Sequence, residues 1–108
     1  MTEYSEDMFN EMGINSVMKL AALVHSGKLT PGDMTFAAEI LGRNIPKAFA
    51  YSVLRPLLDS KHPLTREGAL LGLEHHKDDP RCWDAIERCL YDESEAIRLV
   101  AEEILEDD

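Results

Sequence analysis

The chain is predicted to be all-α, a short right-handed α-solenoid of three antiparallel helical hairpins. Three observations predict it: residues recur at a shift of 32, each recurring set has helical spacing, and prolines or turn residues separate the sets. At that shift Ala37, Ala69 and Ala101 coincide, as do Leu41, Leu73 and Leu105, with Ile40, Gly72 and Ile104 one place earlier. Arg66 and Arg98 also coincide, three residues ahead of their alanines, where the first copy has Met34. Upstream, Tyr51, Leu54 and Leu58 fall on Trp83, Ile86 and Leu90, and Val17, Leu20 and Val24 join them at a shift of 34, as a connection two residues longer requires.

Taken in order, helices are predicted over 15–26, 33–43, 47–58, 64–76, 81–91 and 95–106, with no strand. They form repeats over 15–43, 46–76 and 80–106 in one domain spanning 15–108. Residues 1–14 precede it and place Met8, Phe9 and Met12 at helical spacing among Glu6, Asp7 and Glu11. That segment is read as an N-terminal cap on the first hairpin or as an acidic docking peptide that orders on a partner. Thr30 and Pro31 lie in a connection that ends at a helix start, and Pro46, Pro63 and Pro80 each stand at or next to a first turn, where the missing N–H costs least. Helix 64–76 is apolar or small on nearly every side, as a helix sandwiched between two repeats should be, and Gly68 and Gly72 let a neighbour approach closely. Ser94 is read as the cap of the last helix, with Glu93 and Glu95 at its positive end. That helix is two-faced: Ile97, Val100, Ala101, Ile104 and Leu105 point inward, while Glu95, Glu102, Glu103 and Glu106 point outward, the pattern of a polar terminal cap.

A chain of 108 residues allows one domain, which on folding removes roughly 65% of its extended-chain surface from water. With 44% apolar residues it has the composition of a globular domain. No run of about 18 apolar residues occurs, so no membrane span is expected, and no basic start followed by an apolar run suggests a signal peptide. Cys82 and Cys89 sit seven apart in one predicted helix, about 10 Å along its axis, too far for a disulfide. They are read as reduced core fillers in a cytoplasmic protein.

The formal net charge of −10 is unevenly spread. Residues 15–66 set Asp33, Glu39 and Asp59 against Lys19, Lys28, Arg43, Lys47, Arg55, Lys61 and Arg66, for +4, whereas residues 67–108 total −10. The acidic balance argues against direct nucleic-acid binding, which depends on basic side chains that displace counterions.

Leu54-Arg55-Pro56-Leu57-Leu58-Asp59, followed by Thr65-Arg66-Glu67-Gly68-Ala69, resembles a HEAT repeat, and Asp92 with Ile97-Arg98 and Ala101 resembles the next copy. The resemblance covers 46–106 well and 15–44 weakly, and its short period is similar to compact bacterial HEAT-like repeats. It implies a first helix bent at Pro56, a turn aspartate at Asp59 or Asp92, and an arginine opening the second helix at Arg66 or Arg98. It also implies an internal ladder in which these arginines bond turn carboxylates and carbonyls. An acid–base role for the same pairs is the alternative.

No phosphate loop, nucleophile elbow or zinc spacing is present, so no catalytic residue, cofactor or metal is assigned. The cluster His75-His76-Lys77-Asp78-Asp79 reads as a solvated helix end, or as a metal or pH-sensitive site. Tyr51 and Trp83 are read as core residues. Leu99 projects into the glutamate face of the last helix, an apolar anchor with an acidic rim. The expected function is a non-catalytic protein-interaction module. Its acidic half, chiefly the last repeat, would meet a basic protein surface through Glu74, Asp84, Glu87, Glu95, Leu99, Glu102 and Glu103. The alternatives are an acidic nucleic-acid mimic on a DNA-binding protein, a subunit that self-assembles head to tail, basic repeat against acidic repeat, and a HEAT-like lyase.

Overall fold

Pro31, Pro63 and Pro80 each open a helix at its first position. Two of these starts are capped: Thr30 Oγ1 accepts from Asp33 N, and the Asp79 carboxylate accepts from Arg81 N. The computed structural model describes residues 13–106. These form six α-helices, α1 (Ile14–Val24), α2 (Pro31–Asn44), α3 (Lys47–Leu54), α4 (Pro63–Glu74), α5 (Pro80–Arg88) and α6 (Glu95–Glu106), with no strand among the described residues. The expected segment of Met8, Phe9 and Met12 lies outside the described residues. Gly27, at φ +78°, makes the left-handed turn that carries the chain from α1 toward α2.

Predicted helix 47–58 is α-helical only to Leu54 and finishes as a 3-10 helix over Arg55–Asp59. Pro56 accounts for the change, because it has no N–H to extend the α-ladder. Predicted helix 81–91 ends the same way, in a 3-10 turn over Cys89–Tyr91, although Arg88 stands where Pro56 would fall. In both, the tighter winding turns one residue into the core, Leu57 in the first and its counterpart Cys89 in the second.

The helices pack in consecutive pairs, α1 with α2, α3 and its 3-10 extension with α4, and α5 with α6, while α4 also lies between α2 and α6. The α2–α4 contact is backbone to backbone. A Cβ on Gly68 would stand 2.7 Å from Thr35 Cα, one on Gly72 would stand 2.8 Å from the Ala38 carbonyl, and one on Gly42 would collide with Gly72. The core runs continuously from Val17 and Val24 through Ile40, Leu41, Leu54, Leu70 and Leu73 to Ile86, Ile97 and Ile104. Ala37, Ala69 and Ala101, which coincide in the repeat, are all buried. Tyr51 and Trp83 are half-buried. None of the helices among the described residues is long and apolar enough to cross a membrane.

Candidate protein-binding surface

The turn inside each hairpin is built alike. Lys28 N donates to Ser26 Oγ at 3.1 Å, His62 N to Ser60 Oγ at 3.1 Å, and Ser94 N to Asp92 Oδ1 at 2.8 Å. Ser26, Ser60 and Asp92 therefore occupy one position in three successive turns. The arginine of the following helix reaches back to that residue's carbonyl: Arg66 Nη1 donates to Ser60 O at 2.9 Å and Arg98 Nη1 to Asp92 O at 2.6 Å. Arg66 then presents its remaining edge to the next hairpin, with Nε donating to Asp92 Oδ2 at 2.9 Å and Nη2 to Oδ1 at 3.0 Å. This side-on fork is nearly dry, the Arg66 and Asp92 side chains being only 8% and 12% exposed. It links α4 to the α5–α6 turn, a bond of arginine to turn carboxylate of the kind the resemblance implied.

Asp59 takes no part in it. It pairs at the surface with Arg55 at 3.2 Å, so the ladder position lies one residue further along the turn. Burial pushes the Asp92 carboxyl up, but the bonds from Arg66 and Ser94 N and the charges of Arg66 and Arg98 outweigh it and hold the group below the usual carboxylate range. Met34 stands where Arg66 and Arg98 stand in the later hairpins and is buried without charge.

The candidate binding residues do not share one surface. Glu95, Leu99, Glu102 and Glu103 are exposed on α6, with Leu99 56% accessible. In the repeat, Thr35, Ala38, Glu39 and Gly42 of α2 correspond to Leu99, Glu102, Glu103 and Glu106. The α2 residues lie along α4: Thr35 Oγ1 donates to Leu64 O at 2.6 Å, Glu39 meets His75, and Ala38 and Gly42 touch Gly72. The exposed α6 face is thus the counterpart of a face that packs on a neighbouring helix. Glu74 is half-buried at the end of α4.

Asp84 and Glu87 belong to a different surface. With Arg88, Leu90 and the 87% exposed Tyr91 they line a shallow cleft of about 300 Å³. Asp84 also borders a second cleft, about 150 Å³, between α3 and α5, lined by Tyr51, Arg55, Arg81, Ala85 and Arg88. Arg81 lies 5.0 Å from the Tyr51 ring centroid and pairs with Asp79 at 3.0 Å. This arginine-bearing cleft escaped the sequence reading, because charge counted along the chain separates Arg55 from Arg81 and Arg88.

The histidine cluster is a solvated helix end only in part: His75 and Asp78 are exposed, but His76 is not. His76 is 4% exposed, and since a carbonyl can only accept, its Nε2–H donates to Gly42 O at 2.6 Å. Its Nδ1 is buried with no partner, and burial lowers its pKa. His75 Nε2 lies 3.0 Å from Glu39 Oε2, so both histidines tie the end of α4 to α2. Among the described residues, no three His, Cys, Asp or Glu side chains are gathered where they could hold one metal ion. Cys82 and Cys89 are free and buried, and burial pushes the Cys89 thiol up to about 11, which keeps it protonated.

No protein-family model, curated protein or solved structure matches the chain.

Proposed function

We infer that this is a non-catalytic protein-interaction module of the cytoplasm, a short HEAT-like α-solenoid that binds a basic protein surface through its last hairpin. The observation that carries the reading is the α6 face of Leu99, Glu102 and Glu103, with Glu95 exposed beside it, solvent-exposed at positions whose α2 counterparts Thr35, Ala38 and Glu39 lie along α4. An exposed leucine amid glutamates suits an amphipathic helix bearing lysine or arginine around an apolar residue. Stacked helical hairpins offer continuous surfaces of this kind and need no reactive group to use them.

The test is a titration of isotope-labelled protein with a synthetic amphipathic helical peptide carrying lysines at i, i+4 spacing around leucines. Perturbations are expected at Leu99, Glu102 and Glu103. They should weaken steeply between low salt and about 0.5 M salt, and disappear in Glu102→Lys/Glu103→Lys. Binding insensitive to salt, or perturbations spread evenly over the molecule, would count against the reading.

A further inference from the structure

Arg98 repeats Arg66 in position, but among the described residues it has no second partner. Both guanidinium groups are anchored by Nη1 on the carbonyl six residues upstream. Because the group is planar, the same anchor at the same position leaves the Nε–Nη2 edge of each on the side opposite its own turn carbonyl. For Arg66 that edge holds the Asp92 carboxylate. For Arg98 neither Nε nor Nη2 meets an acceptor among the described residues, and the side chain is half-buried.

In the repeat, the arginine and carboxylate positions change together: Met34 goes with Ser60 one hairpin on, and Arg66, which bonds Asp92, goes with that carboxylate one hairpin on. By that rule Arg98 calls for a carboxylate in the turn that faces it. We propose that the α6 side of the last hairpin, with Arg98 at its head, is a stacking face for a partner helical hairpin whose inter-helix turn presents an aspartate or glutamate to the Arg98 fork. This rests on the reading of the last hairpin as a protein-binding surface and adds the chemistry of the partner.

Two further features define that partner. Beside Arg98, the stacking face carries Leu99, Glu102, Glu103 and Glu106, so the partner's second helix is basic around an apolar contact, while its turn is acidic. A second copy of this chain meets the first condition poorly: the turn of its first hairpin offers Ser26, a hydroxyl already bonded to Leu23 O and Lys28 N. The occupant is therefore a different protein, and self-association is the competing outcome.

The probe is the full chain carrying Ser26→Asp and Arg98→Met, which places a carboxylate in the turn of its own first hairpin and has no fork to offer. The matched control is Arg98→Met alone. Wild-type protein with labelled arginine side chains is titrated with each. The Ser26→Asp/Arg98→Met chain is expected to shift the Arg98 Nε–H resonance and leave Arg66 unmoved, binding at least about tenfold more tightly than the control, as one charge-assisted hydrogen-bonded pair implies. No shift at Arg98 with millimolar probe would overturn the proposal. Equal binding of probe and control would overturn it too, and would assign the face to a second copy or to charge alone. An independent check uses the single variant in isolation: Arg98→Met should lower Tm by no more than about a third of the loss caused by Arg66→Met. Equal losses would make the fork a structural element and remove the proposal. If the lysine peptide still perturbs Leu99 while Arg98 stays silent, only the carboxylate partner is lost; if neither responds, the reading of the face fails with it.

Discussion

Arg66 and Arg98 begin from the same sequence position in successive hairpins and end in opposite circumstances. Arg66 is closed on both edges, by a carbonyl in its own turn and a carboxylate in the next, and it is buried. Arg98 keeps the carbonyl, and its other edge meets no acceptor among the described residues. One sequence position thus has two outcomes set by its neighbours: a guanidinium bonded along both edges at Arg66, and one bonded along a single edge at Arg98.

The sharpest way to break the comparison is to remove each arginine. Arg66→Met strands the Asp92 carboxylate in a nearly dry site and is expected to cost about 3–5 kcal/mol in chemical denaturation, whereas Arg98→Met forfeits one bond to a carbonyl, about 1 kcal/mol. Similar losses would erase the distinction. Next in size is the glycine contact that brings α2 against α4. Gly42→Ala drives a methyl group into Gly72 and should cost about 1–3 kcal/mol, while Gly32→Ala, in open space on the same helix, should stabilise by about 0.4–1 kcal/mol.

The arginine–carboxylate rule can be installed where it is absent. Met34→Arg alone buries a charge and destabilises, and adding Ser60→Asp should recover part of the loss, with a coupling of about 0.5–3 kcal/mol in a double-mutant cycle. Zero coupling would show that the first interface is not built like the second.

A pH titration separates two further contacts. His76 has a folded-state pKa below its ordinary 6.5, because it is buried and its Nδ1 has no acceptor. The unfolded chain therefore takes up the proton first, and stability should fall as the pH drops below about 6.5. His76→Gln, which keeps a donor for Gly42 O, should flatten that slope. The Asp92 contribution, from a carboxyl held below 3.8, persists to lower pH and is lost only as the pH falls through its depressed folded-state value.

Much of the fold was legible because the apolar spacing of each helix survives translation by one repeat: Ala37, Ala69 and Ala101 are all buried where the periodicity puts them. Gly68 and Gly72 were legible for the same reason, as small residues on an otherwise apolar helix. The ladder was legible in kind but not in register. Asp59 and Ser60 are adjacent, and only the shared backbone-to-side-chain bond of Ser26, Ser60 and Asp92 shows which belongs to the position. His76 was misread because its burial comes from α2, which is distant along the chain. The α3–α5 cleft was invisible for a related reason, as it draws Arg55 from one hairpin and Arg81 and Arg88 from the next. The acidic face of α6 was visible as a stripe, but its correspondence to the α2 face along α4 required the packing itself.

The most direct measurement is hydrogen exchange at the Nε–H groups of Arg66 and Arg98 in the free protein, read by NMR with labelled arginine side chains. Strong protection is expected at Arg66, whose Nε is bonded to Asp92 Oδ2, and near-solvent exchange at Arg98. Equal protection at the two would mean that the Arg98 edge is already occupied, and the open end of the ladder would not exist.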